Sequence, residues 1–526
     1  MLLKGIVVFL LANFKIEKQY SLEMILSQEN LKLINPENVI VPQASIFELP
    51  EKVLQFGTGV LLRGLPDYFI DKANRQGIFN GRIAVVKSTN GSTNEFNSQN
   101  SLYTLCVRGL ENGQPVSENI ISSAISRVIS AEENWQEILT IAKSKDLKLI
   151  VSNTTEVGIT LVNESITLNP PISFPAKVLA VLYERFKAFN GSKESGLVII
   201  ATELIPDNGK KLASFVLQLA QFNQLEASFI AWIASSNTFC NSLVDRIVPG
   251  KPDATTLANL QNELGYTDNL LSTTEPYRLW AIEGDEKVAK VLEFAKVDAG
   301  VVIANDIEIY RELKVRLLNG THTLSSGIAF LSGIDTVKNA MTNEQLKTYI
   351  EDLMAIEISP AIPYEVTPKQ TTAFANTVKD RFANPSIEHL WINITFQYTL
   401  KMKIRILPLL LNYYKLFKKV PEHIALGFAA YLVFMKVDHK EGNKFYGSYQ
   451  GLEYLITDNN AQYFYDQLSA NGTNYATSVL NDVDFWGTDL SLLGGFTKAV
   501  KEKYDRIVAG EIPQTLEELT TSKINA

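Results

Sequence analysis

The apolar run Lys52-Val-Leu-Gln-Phe56 leads directly into Gly57-Thr-Gly59. A short apolar run ending in a glycine turn predicts a buried strand. Helical spacing follows through Tyr68 to Gly77, and Arg82-Ile-Ala-Val-Val-Lys87 predicts a second buried strand. Strand, turn, helix and strand make one βαβ unit. Further apolar runs at 147–152, 196–202 and 229–235 predict strands, with helical patterns at 132–145 and 175–189 between them. This alternation predicts an α/β chain whose first part is a Rossmann-like, doubly wound parallel sheet domain. Beyond residue 305 the period lengthens. Helical patterns cover 306–331, 342–357, 372–383, 404–419, 421–436 and 460–470, which predicts a mostly α-helical C-terminal domain. Thr342-Asn-Glu-Gln345 has the form of a capping box. The expected organisation is an N-terminal extension (1–45), a dinucleotide-binding domain (46–305) and a helical substrate and catalytic domain (306–526). The active site is expected in the cleft between the last two.

At 526 residues the chain is too long for one core. The 46% hydrophobic and 20% charged fractions are those of an ordinary globular protein. A net charge of -8 and the lack of any basic block argue against a nucleic-acid partner. Two cysteines, Cys106 and Cys240, suit a reducing compartment, so a cytoplasmic location is expected. None of the four histidines, His322, His389, His423 and His439, pairs with Cys or Glu at metal-ligand spacing, so no metal site is expected. The apolar stretch from Gly5 to Phe14 is too short to span a membrane and lacks a small-x-small cleavage site. It reads as an upstream extension, with Met24 an alternative start, and no membrane partner is expected.

Three regions carry candidate chemistry. The first is Phe56-Gly57-Thr58-Gly59 with Arg63. Gly57 permits the tight turn and Gly59 lets a pyrophosphate approach the backbone. The third glycine of the usual fingerprint is replaced by Leu62. After the second strand the expected ribose-binding acid is missing and Lys87 stands in that region, either as a contact for a 2′-phosphate or as a solvent-facing strand end. The second region is polar and follows later strands. Ser152-Asn153-Thr154-Thr155-Glu156 could approach a cofactor or form an ordinary turn, and Glu203 to Gly209 is similar.

The third is Lys314-Val-Arg-Leu-Leu-Asn319-Gly-Thr-His322, inside one predicted helix. At about 100° per residue, Asn319 lies about 140° and His322 about 80° from Lys314. An amine, an amide and an imidazole on one side supply a proton donor, a carbonyl polariser and a hydrogen-bonding group. The plainer alternative is a solvated lysine beside a capping Asn-Gly pair.

Taken in order, these pieces resemble the polyol-specific long-chain dehydrogenases, the mannitol dehydrogenase family, over about residues 50–410. The resemblance rests on Gln55 to Arg63, Ser152 to Glu156, Phe239-Cys-Asn-Ser-Leu-Val-Asp-Arg-Ile-Val-Pro249, Glu275-Pro-Tyr-Arg-Leu-Trp280 and the Lys314–Asn319–His322 helix. Phe382-Ala-Asn-Pro-Ser-Ile-Glu-His389 and Lys401-Met-Lys-Ile-Arg405-Ile-Leu-Pro408 complete it. The resemblance implies a metal-independent dehydrogenase using NAD. In it Lys314 transfers the proton, Asn319 hydrogen-bonds the developing alkoxide and His322 orients the substrate. Where other branches carry a carbonyl-polarising Asn, this chain has Leu204, which leaves Asn208 as a substrate-binding candidate. Lys401 and Arg405 are candidates for a substrate carboxylate. The wording from Phe239 to Gly250 and from Leu317 to Thr323 resembles the branch that reduces D-tagaturonate to D-altronate in hexuronate catabolism. A small ketouronate or aldonate is therefore the expected partner. Alternatives are fructuronate or a neutral polyol as substrate, or, in another class, a non-catalytic sugar- or nucleotide-binding protein.

Overall fold

The protein is described by a computed structural model over residues 24–154 and 158–524. The apolar Gly5–Phe14 stretch, and Thr155 and Glu156 of the polar turn, lie outside the described residues. The chain forms two compact units. The first comprises the chain to Arg108 together with Pro115–Ile307, and the second comprises Gly109–Gln114 with the chain from Glu308 onward.

The first unit is built on a six-stranded sheet, numbered here along the chain as β1 (Glu51–Phe56), β2 (Arg82–Lys87), β3 (Ile125–Ser130), β4 (Leu149–Ser152), β5 (Val198–Ala201) and β6 (Thr238–Cys240). Its spatial order is β3-β2-β1-β4-β5-β6, and every pairing is parallel. The order reverses between β1 and β4, and in such sheets ligands bind outside the strand C-termini at that switch point. Alternate residues feed two cores. Val53, Val85, Val151 and Ile200 enter one, while Leu54, Val86, Ile150 and Ile199 enter the other. Burial on both faces is why these strands read as continuous apolar runs. Smaller sheets flank this one. One pairs Leu279–Glu283 antiparallel with Ser242–Asp245 and parallel with Val301–Ala304.

Two sequence expectations are corrected. The 229–235 run is not a strand but lies in the helix Ala227–Ser236, with Phe229, Trp232 and Ile233 buried at helical spacing. The capping box expected at Thr342 is also absent. Asn343 caps Glu344–Asp352 by accepting from the Leu346 N–H, and the reciprocal box is formed instead by Thr367 and Gln370.

The second unit is mostly helical. Its first long helix runs in three pieces: Glu308–Leu313, the π-helical Lys314–Gly320, and Thr321–Leu331. The last piece packs on Glu422–Phe434, which is buried on all sides from His423 to Phe434. Two further described segments are π-helical, Leu353–Ile358 and Met402–Ile406. No described helix is long and apolar enough to cross a membrane.

Candidate active site

At the switch point, Gly57 follows β1 with φ +125, a region that favours glycine. A Cβ there would meet Leu62 Cδ1 at 2.9 Å and the Asn153 carbonyl at 3.0 Å. Gly59 differs. Its φ of -63 suits any residue, and among the described residues a Cβ would meet no atom within 4 Å. The turn is therefore tight at its first glycine and open at its second, the cradle a pyrophosphate needs. Thr58 between them is half-buried.

Three neighbours expected to contact the cofactor are employed otherwise. Phe56 is a core residue whose ring meets Phe174 edge-on at 5.2 Å, leaving only its backbone at the turn. Arg63 is buried, with its guanidinium on the Leu270 carbonyl at 2.5 Å and over the Tyr103 ring at 5.3 Å. It is engaged by the Leu270 carbonyl and the Tyr103 ring rather than by the turn. Lys87 bends its ammonium into the following loop and donates to the carbonyls of Thr89 and Asn90 at 2.8 and 2.9 Å.

Beyond β4, the Asn153 amide donates to the Thr202 carbonyl at 3.0 Å and hydroxyl at 2.9 Å, tying β4 to β5. The N–H and hydroxyl of Thr154 both donate to Glu203, each at 2.9 Å. Glu203 is buried and also accepts from Ser152. Both residues border the switch point with their side chains engaged in bracing it. Asn208 is a correction: it is buried at 1% exposure. Its amide donates to the carbonyls of Glu203 and Ser242 and accepts from the N–H groups of Gly209 and Ser242. All its capacity is spent on backbone, so it cannot bind substrate.

In the second unit the π-helical turn changes the geometry expected from sequence. In an α-helix Asn319 stands far around from Lys314, but the i→i+5 ladder of a π-helix brings residues five apart onto one face. Lys314, Asn319 and His322 are each half-buried. The distortion is held by Arg316, which the sequence reading passed over. It pairs with Glu312 at 2.9 Å and donates to the carbonyls of Ile404 at 2.9 Å and Arg405 at 2.7 Å. One π-segment is thus pinned to another. Arg405 in turn donates to Thr323 Oγ1 at 3.2 Å and to the Asn319 carbonyl at 3.5 Å.

Around His322 the structure gathers Phe382, stacked at 4.1 Å between ring centroids, His389 at 5.2 Å and Trp391 at 6.1 Å. Phe382 and His389 belong to a motif that sequence could assign only as a family mark. Burial holds the His322 imidazole well below its usual range, and His389, Arg381, Arg405 and Lys401 push the same way. His322 is therefore a neutral hydrogen-bonding group at physiological pH. Burial also lowers Lys401 to about 8, reinforced by Arg405, and lowers Arg405 to about 10. Lys401 donates to the Ile394 carbonyl at 2.8 Å, which leaves ammonium protons for a ligand. The site thus combines a primary amine, a neutral imidazole and a pair of cations.

Residues 51–296 match the family described as Mannitol dehydrogenase Rossmann domain, and residues 306–508 match Mannitol dehydrogenase C-terminal domain. The altronate oxidoreductase of Halalkalibacterium halodurans is 35% identical over 496 residues, covering 92% of this chain and 96% of that protein. The altronate oxidoreductase of Bacillus subtilis is 36% identical over 459 residues, covering 86% and 92%. Among solved structures, Pseudomonas fluorescens mannitol 2-dehydrogenase in ternary complex with NAD and D-mannitol aligns with a TM-score of 0.65 at 21% identity, covering 95% of this chain and all of that one. A substrate-free D-sorbitol dehydrogenase aligns at 0.72 and 19%, covering 94% of this chain and all of that one. These two likenesses show the fold.

Proposed function

We propose that this chain, which belongs to the mannitol dehydrogenase family, interconverts D-tagaturonate and D-altronate with NADH and NAD, without a metal ion. At the coarser level it is an oxidoreductase acting on CH–OH groups. The observation that carries the finer reading is the grouping of Lys401 and Arg405 with His322. A neutral polyol presents no charge for two cations to meet, whereas a ketouronate presents a carboxylate. The relatives named altronate oxidoreductase support the same choice. NAD is favoured over its 2′-phosphorylated form because the Lys87 ammonium is already held by loop carbonyls.

Gly57, Thr58 and Gly59 would hold the dinucleotide through backbone groups, with Asn153 and Thr154 bordering it. When bound, the nicotinamide supplies the hydride in reduction and accepts it in oxidation. Lys314 Nζ gives its proton to the keto oxygen as the hydroxyl forms and takes it back in the reverse direction. The Asn319 amide donates to the same oxygen as charge builds there. Neutral His322 orients the substrate hydroxyls, and Lys401 with Arg405 meets the carboxylate.

Three results test this. Lys401→Met should raise KM for tagaturonate about 10- to 150-fold, the worth of a charge-assisted contact, and change weak activity on fructose much less. With Lys401 held at about 8, its cation is present below that pH and lost above it. KM for tagaturonate in the unaltered enzyme should therefore climb above pH 8. Equal losses on both substrates would make Lys401 structural, and fructose as the better substrate would overturn the uronate assignment. Activity should also survive exhaustive EDTA dialysis. Loss restored by zinc would refute the metal-free mechanism.

A further inference from the structure

Beneath the dinucleotide turn lies a carboxyl that the reaction does not use. Asp67 sits in the first turn of the helix Pro66–Arg75 and is fully buried. Its nearest polar partner is the Gln55 amide on β1, which reaches Asp67 Oδ2 at 3.4 Å and the Gly57 carbonyl at 3.4 Å. Asp67 Oδ1 has no hydrogen-bond partner among the described residues. An amide has two N–H donors, and here they bridge the buried acid and the carbonyl of the first glycine of the turn. We propose that Asp67 is a positioning residue for the dinucleotide: as a neutral carboxylic acid it fixes the Gln55 amide that holds the Gly57 carbonyl, and its ionisation weakens cofactor binding. The inference rests on the dinucleotide binding at the Gly57–Gly59 turn.

The surroundings favour the neutral form. The cation that bears on it, Arg63, has its guanidinium turned to the Leu270 carbonyl. Asp71, one helical turn along, is a second buried acid, committed to Ser123 and Arg75. Tyr103 adds a phenol from the flanking strand, with its hydroxyl on the Arg63 carbonyl at 2.9 Å. A buried carboxylate without a hydrogen-bonded cation is costly, so the proton stays on. Desolvation pushes the carboxyl up to about 8, against the opposing pulls of Gln55 and Arg63. Above that pH a negative charge appears under a turn that must accept a pyrophosphate. It also draws the Gln55 amide toward itself and away from Gly57.

The experiment is a fluorescence titration of the full chain with NADH alone between pH 6.5 and 9.5, for the unaltered protein, Asp67→Asn and Asp67→Leu. Asn copies the shape of the neutral acid and cannot ionise. The unaltered protein should lose about tenfold in affinity across pH 8, the equivalent of one pKa unit of coupling between proton and cofactor. Asp67→Asn should bind NADH well at pH 7 and lose this pH dependence. Asp67→Leu, which removes the acceptor for Gln55, should bind about tenfold more weakly throughout the range. A thermal melt provides a second readout. The folded state keeps a proton that the unfolded chain releases above its ordinary value of 3.8, so Asp67 costs the fold more as pH rises toward 8. The melting advantage of Asp67→Asn should therefore grow from pH 5 to pH 8. A pH profile unchanged in Asp67→Asn, or full NADH affinity in Asp67→Leu, would overturn the proposal. Failure of the unaltered protein to bind NADH at any pH would instead overturn the cofactor reading beneath it.

Discussion

Replacing Lys314 by alanine is expected to lower kcat about 10²–10⁴-fold, the usual worth of a positioned proton donor, with NADH affinity and the melting temperature little changed. The fold should survive because Lys314 is half-buried at the start of the π-helical turn. The turn itself is pinned by Arg316 through the carbonyls of Ile404 and Arg405. The loss should fall on kcat and kcat/KM alike, because the proton is shared only as the transition state forms. This separates Lys314 from Lys401, whose removal should act on KM for a charged substrate. Single-turnover NADH oxidation with saturating tagaturonate reads the effect on the chemical step directly. A Lys314→Ala enzyme with near-normal turnover would remove Lys314 from the mechanism.

How far the sequence reaches follows from which interactions are local. β1 and β2 are legible almost residue for residue, because strands buried on both faces leave a largely apolar run, interrupted in β1 by Gln55, between turn residues. The helix Ala227–Ser236 reads as a strand because a seven-residue apolar run cannot be told from one by periodicity alone. The grouping of Lys314, Asn319 and His322 is legible as spacing, but their register is not. It depends on a π-turn stabilised by contacts from Arg316 to carbonyls 88 and 89 residues further on. Asn208 and Arg63 mislead for a different reason. A polar residue just past a strand looks the same in sequence whether it faces a ligand or satisfies buried backbone, and in both cases the backbone claims it. His389 and Phe382 lie 60 or more positions from His322, and only the fold stacks them around it.

The second large effect is expected at the other unit. Gly59→Val should abolish NADH binding without unfolding the protein, and the contrast between the two glycines of the turn says why. At Gly57 a side chain is excluded twice: by φ +125 and by Leu62 and the Asn153 carbonyl at about 3 Å. Substitution there would distort the turn itself, so a binding defect would say little about the ligand. Gly59 carries neither obstacle. Its backbone, with φ -63 and ψ 154, suits a β-branched residue, and the space its side chain would enter holds no atom of the described residues within 4 Å. On the proposed reading, what a valine there would displace is the ligand, because a pyrophosphate lies against the backbone only where the second glycine has no side chain. Gly59→Ala should give an intermediate loss, since one methyl intrudes less than three carbons. The measurement is fluorescence titration with NADH, alongside a thermal melt matching the unaltered protein. Unchanged NADH affinity in a folded Gly59→Val would place the dinucleotide elsewhere on the chain.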